Sequence, residues 1–120
     1  MKIQTTANNI ELTADVHAYL DKRLGQITKL LKNSDYALAD VKLSKETNHH
    51  KHGEIYSTEI NLSADGESFF ARTDQESLFA AIDIAKDELV TVLKNKKEKK
   101  DTVWKKGRQS IKKMLRGLSF

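Results

Sequence analysis

Glu54-Ile55-Tyr56-Ser57-Thr58-Glu59-Ile60-Asn61-Leu62-Ser63-Ala64-Asp65-Gly66-Glu67-Ser68-Phe69-Phe70-Ala71-Arg72-Thr73 is the stretch that decides the fold. Over 54–63 the residue types alternate, with Tyr56, Thr58, Ile60 and Leu62 facing one way and Ser57, Glu59 and Asn61 the other. A period of two is that of a strand with one buried face. Asp65-Gly66 supplies two residues that tolerate positive φ, as a tight hairpin turn requires. Residues 67–73 therefore return as a second strand, whose core face is either Phe69 and Ala71 or Phe70 and Arg72.

Upstream of this hairpin, 36–46 alternates as well, with Ala39, Val41 and Leu43 opposite Asp40, Lys42 and Ser44, and a polar loop from Thr47 to Gly53 joins it to the hairpin. Before it, Val16, Leu20, Leu24, Ile27 and Leu31 recur at spacings of three and four, which predicts an amphipathic helix over 14–32. Thr13 is a suitable N-cap for that helix, and Asp15 places negative charge in its first turn, where the helix dipole favours it. On a continuous helix Lys22 and Lys29 would lie about 20° apart, away from the apolar stripe. At the amino end, Ile3 and Thr5 alternate with polar neighbours until Asn8-Asn9, so 2–7 reads as a short strand.

Downstream, Thr73 followed by Glu76 fits a capping box and predicts a second helix starting there. Its buried stripe is expected to be Leu78, Ile82, Ala85, Leu89, Val92 and Leu93. The order is β-α-β-β-β-α, an α+β two-layer sandwich with two helices on one face of a four-stranded sheet. No proline interrupts any element.

A chain of 120 residues accommodates one domain. At 38% hydrophobic and 32% charged, its composition is that of a soluble globular protein. Its uncharged runs fall far short of the roughly 20 apolar residues that span a bilayer, and the start lacks the apolar stretch of a signal peptide. Cysteine is absent, which excludes disulfides and thiolate metal sites. A cytoplasmic location is the simplest expectation.

The net charge of +4 conceals a division, because residues 1–93 hold 10 Lys/Arg against 15 Asp/Glu while 94–120 hold 11 against 2. Such a concentrated basic end points to a partner carrying phosphates. The domain is expected over 1–97, with 98–120 as a basic tail. In that tail Trp104, Ile111, Met114, Leu115 and Leu118 return at near-helical spacing, compatible with a short amphipathic helix over 103–117.

Nothing in the sequence assembles a catalytic site. His49, His50 and His52 share one loop, but no carboxylate or cysteine is spaced to complete a metal site with them. Asp83, Asp87 and Glu88 lie on the flank of the second helix among lysines, the setting of salt bridges rather than of acid–base catalysis. No glycine-rich phosphate loop or nucleophile motif is present. No enzyme activity, cofactor, metal or small-molecule substrate is expected.

Two stretches carry a family resemblance. Asn8-Asn9-Ile10-Glu11-Leu12-Thr13 and Ser77-Leu78-Phe79-Ala80-Ala81-Ile82-Asp83 resemble runs of the ribosome hibernation-promoting factor family, also called ribosome-associated inhibitors or sigma-54 modulation proteins. The resemblance covers about residues 1–97 and includes the order of elements. It implies a fold like the double-stranded RNA-binding domain with one added strand. It also implies binding to small-subunit ribosomal RNA in the channel used by messenger and transfer RNA, where steric occlusion inhibits translation and preserves idle ribosomes under stress. RNA would be recognised by backbone and shape.

Arg23, Lys29, Lys45 and Lys97 match basic positions of the family, whereas Gln26, Glu88 and Thr91 stand where basic residues are usual. The expected RNA-contacting set is Lys22, Arg23, Lys29, Lys45, Lys86, Lys94, Lys96, Lys97 and Lys100, with the segment 99–116 adding charge. The chain resembles the family's short form, so ribosome dimerisation finds no support in the sequence. Rival readings are a regulatory protein-interaction module and a general binder of structured RNA. Insertion of the Trp104 stripe into a membrane surface ranks last.

Overall fold

The computed structural model describes residues 1–48 and 53–96. The hairpin that anchors the sequence reading is present. Strand β3 (Gly53–Ala64) and strand β4 (Glu67–Gln75) pair antiparallel, with Ile60 opposite Ala71 and Leu62 opposite Phe69. Asp65 and Gly66 turn the chain at φ 53° and 77°, the left-handed pair of a two-residue hairpin. Strand β2 (Leu38–Asn48) pairs antiparallel with β3, and β1 (Lys2–Asn8) pairs parallel with β2, giving a mixed sheet in the order β1-β2-β3-β4.

Parallel neighbours need a crossover. Helix α1 (Ala14–Gly25) provides it, followed by 3-10 turns at Gln26–Leu30 and Ser34–Tyr36. The described part of the second helix, α2, covers 78–96. Both helices cover one face of the sheet. Val16, Leu20, Leu24 and Ile27 share one core with Ala39, Val41, Leu43, Ile60, Leu62, Phe69 and Ala71, and with Ile82, Ala85, Leu89 and Leu93. On the opposite face Lys42, Asn61, Phe70 and Arg72 are exposed. The choice the sequence left open is thereby made: Phe69 and Ala71 point inward, because their partners Leu62 and Ile60 do.

Four local expectations need correction. The first helix does not run to residue 32 as an α-helix, since it tightens into a 3-10 turn after Gly25 and Leu31 is extended. In a 3-10 turn side chains three apart eclipse, which lines up Leu24, Ile27 and Leu30 toward the core. The hydroxyl of Thr28 donates to the Gly25 carbonyl at 2.7 Å inside this turn. Second, Thr73 caps no helix. It lies in β4 opposite Thr58, and pairing with β3 continues to Gln75. The cap is Ser77, whose hydroxyl accepts from the Ala80 amide at 3.5 Å. Third, Val92 is exposed and Ala81 is buried in the core-facing stripe of α2. Fourth, β2 starts two residues later than expected and extends to Asn48, with Tyr36 in the exposed turn before it.

Thr13 caps α1 as expected, accepting from the Val16 amide at 3.3 Å. Asp65 has a second role that the turn pattern did not reveal. Its carboxylate accepts the backbone amides of Lys32 and Asn33, both at 3.0 Å, tying the end of the crossover to the hairpin. The histidines His49, His50 and His52 and the tail 98–120 lie outside the described residues.

Candidate nucleic-acid interface

The two motif stretches meet in space. Asn9, Ile10 and Glu11 from the first and Ser77, Leu78 and Phe79 from the second line one open groove of about 510 Å³, together with Lys45 and Tyr56. Asn9 takes a left-handed conformation, φ 61°, and its amide donates to the Lys45 carbonyl at 3.4 Å. Asparagine is one of the few residues that adopts this conformation readily. Lys45 pairs with Glu54 at 2.9 Å and lies 5.9 Å from the centre of the Tyr56 ring. The hydrogen bond to Glu54 raises the Lys45 pKa, and the hydrogen bonds from Lys45 and then Tyr56 lower that of Glu54. Glu11 and Glu76 also line this groove, so the Asn9 amide and the Tyr56 and Phe79 rings are suited to base contacts, while Lys45, the one cation of the lining, is shared with Glu54.

The second motif also builds the seam between the helices. The Tyr19 hydroxyl donates to Asp83 at 2.6 Å, and Tyr19 meets Phe79 edge-on with ring centres 4.7 Å apart. The Arg23 guanidinium lies 5.1 Å from the centre of the Tyr19 ring, and its Nε is 3.0 Å from Asp83 Oδ1, an ion pair without hydrogen-bond alignment. The hydrogen bond to Asp83, followed by burial, raises the Tyr19 pKa. Sequence reading missed Tyr19. The available signal was spacing, since Tyr19/Arg23 and Phe79/Asp83 are both i,i+4 pairs, each on one helix face.

The expected RNA-contacting residues divide into two groups. Arg23, Lys45, Lys86 and Lys96 are engaged within the domain. Lys86 pairs with Asp87 at 2.6 Å with its side chain only 14% exposed. Lys96 pairs with Glu67 at 3.3 Å and lies 4.8 Å from the centre of the Phe69 ring. Lys22, Lys29 and Lys94 are exposed, and none of them has a carboxylate partner among the described residues. The 3-10 turn changes the geometry of this second group, because Lys22 and Lys29 are now about 40–60° apart around the axis instead of about 20°. Lys97 and Lys100 lie outside the described residues.

Of the three positions where basic residues are usual, Gln26 is exposed at the start of the 3-10 turn. Glu88 and Thr91 are exposed on α2 beside Phe70 and Val92. Among the described residues no helix is long and apolar enough to cross a membrane.

The fold and this surface define an α+β sandwich whose helices carry exposed cations without carboxylate partners among the described residues and whose two motifs share one groove. The sequence matches the family described as sigma 54 modulation protein / S30EA ribosomal protein over residues 3–101, and the chain belongs to that family. A ribosome hibernation promotion factor of Picosynechococcus sp. is 30% identical over 103 residues, which are 82% of this chain and 50% of that protein. The chain thus spans about half the length of that relative. Among solved structures, the N-terminal domain of Protein Y from Thermus thermophilus superposes with a TM-score of 0.67 at 26% identity, covering 79% of this chain and 98% of that one. A ribosomal subunit interface protein from Coxiella burnetii shares the fold, with a TM-score of 0.66 at 17% identity over 82% of this chain and 99% of its own.

Proposed function

We propose that this chain is a ribosome hibernation factor that binds small-subunit ribosomal RNA in the messenger and transfer RNA channel and inhibits translation by occupying it. It acts in the cytoplasm without catalysis. The observation that carries this reading is the set of exposed lysines on the helix layer, Lys22, Lys29 and Lys94, without carboxylate partners among the described residues, in a chain of this family. Arg23, Lys45, Lys86 and Lys96 add positive charge that is shared with carboxylates. Solvent-accessible ion pairs stabilise a fold by at most about 1 kcal/mol, so Lys45 and Lys96 exchange their carboxylates for phosphate at little cost, whereas Lys86, only 14% exposed, is the least available of the four. The relative named for ribosome hibernation and the neighbour named for the subunit interface support the same reading.

The test is co-sedimentation with separated subunits and whole ribosomes at low and high salt. Migration with the small subunit that weakens steeply as salt rises is the expected result, since phosphate contacts release counterions. A protein that stays at the top of the gradient at low salt overturns the proposal. Binding to free duplex RNA as tight as to the subunit would identify a general RNA binder instead.

A further inference from the structure

The surface where α2 meets β4 is unlike the lysine-bearing surface. Of four large hydrophobic side chains exposed on the described residues, two, Phe70 at 50% and Val92 at 39%, line the same open groove. Ile84, Arg72, Asp87, Glu88 and Thr91 complete it, enclosing about 610 Å³. Arg72 is turned toward Asp74 at 3.7 Å and Asp87 is held by Lys86, whereas Glu88 has no ionic partner among the described residues. Strand β4 pairs only with β3 among them, so its outer edge adjoins the groove. An apolar recess bordered by Glu88, whose charge has no ionic partner among the described residues, beside a strand edge suits a basic segment with an apolar stripe.

The chain itself contains such a segment. Residues 97–120 carry nine Lys/Arg against two acids, and Trp104 is followed by Lys105, Lys106 and Arg108. Trp104 lies eight positions beyond Lys96, a reach of about 26 Å when extended. Val92 lies only about 6 Å back along the helix axis from Lys96, so the connection is amply long for a return.

We infer that the groove formed by Phe70, Ile84, Glu88 and Val92 is the docking site of this chain's own basic segment. Trp104 seats on Phe70 and Val92, and Lys105, Lys106 or Arg108 meets Glu88. The remaining lysines of the segment face outward, restoring positive charge over the part of α2 where Glu88 and Thr91 stand. The inference does not depend on the ribosomal reading, because it concerns the isolated protein.

Trp104 is the single tryptophan of the chain, so its fluorescence reports on the segment alone. The experiment records emission and acrylamide quenching of the full chain across protein concentrations and salt. It includes Val92→Ser, Glu88→Lys and, as a control on β2, a strand that does not line the groove, Lys42→Glu, with circular dichroism checking the fold of each. The expected result is a blue-shifted, protected indole in the parent protein and in Lys42→Glu. Val92→Ser and Glu88→Lys should shift emission to the red and raise quenching, and salt should do so more gently. A fully exposed indole in the parent protein overturns the inference. Protection unaffected by both groove variants overturns it as well. A blue shift that grows with protein concentration overturns it in favour of a second copy.

Discussion

The two helices bury similar faces and present opposite ones. Helix α1 with its 3-10 extension offers Lys22 and Lys29 to solvent without carboxylate partners among the described residues. Helix α2 over 84–92 offers Asp87, Glu88, Thr91 and Val92 and adjoins the exposed Phe70. Inward, each contributes a stripe of four fully or nearly buried aliphatic or alanine side chains to one core, Val16, Leu20, Leu24 and Ile27 from one and Ile82, Ala85, Leu89 and Leu93 from the other. The difference separates what the fold demands from what it leaves free. Burial constrains the inward stripe, because every methylene removed leaves a cavity. Nothing in the packing dictates the outward charge, so a helix of the same architecture can face phosphate or a cationic peptide.

If the inward faces are equivalent, Leu24→Ala and Leu89→Ala should each destabilise the domain by about 2–5 kcal/mol in urea melts. A loss under about 1 kcal/mol at one of them would show that the two helices do not share the core equally. The outward faces are separated by charge reversal. Lys22→Glu with Lys29→Glu should leave stability within about 0.5 kcal/mol. The same double variant should weaken binding to the small subunit and flatten its salt dependence by about one unit per lysine. Unchanged binding in the double variant would remove α1 from the interface.

The seam joining the helices is expected to contribute less than either core stripe. Tyr19→Phe deletes the hydrogen bond to Asp83 but keeps the ring against Phe79, and should cost about 1 kcal/mol. Asp83→Ala should cost more, because it removes the acceptor of the Tyr19 hydroxyl and also leaves Arg23 without its carboxylate. Equal losses in the two variants would mean that the Arg23 ion pair is energetically silent.

The smallest effect belongs to Lys45 and Glu54. Glu54 is held below its ordinary 4.5, so the pair's stabilisation is present above that value and disappears as pH falls through the lowered one. Lys45 is held above its ordinary 10.5, so the same stabilisation is present below that value and disappears as pH rises through the raised one. Glu54→Gln should flatten both limbs of a stability–pH profile, and an unchanged profile would show that solvent screens the pair completely.

Much of this architecture was legible locally. The period-two runs of β2 and β3, the Asp65-Gly66 turn, the Thr13 cap and the spacing of Leu20, Leu24 and Ile27 are short-range patterns that specify elements by themselves. The element ends were less legible, because they depend on partners distant in sequence. Thr73 and Glu76 satisfy a capping pattern, yet ladder pairing with β3 keeps Thr73 in a strand. The α-helical phase of α1 yields to a tighter turn after Gly25, where Ile27 and Leu30 pack on the core. For the candidate interface, residue types were readable but their engagement was not. Lys86 and Lys94 are both lysines on the same helix, and one is folded against Asp87 while the other is exposed.

The sequence by itself determined the element order, the sandwich class, the charge division and the two motifs, since each is written in spacing or composition along the chain. Only the tertiary structure decided that Phe69 rather than Phe70 faces inward, that the motifs share a groove beside Lys45, and that Glu88 borders an apolar recess. These depend on register and on which surfaces meet across 36 to 64 residues of chain, as for Asn9 with Lys45 and Tyr19 with Asp83. A local pattern specifies the direction of a side chain relative to its own element. What that side chain meets is specified only when the elements pack.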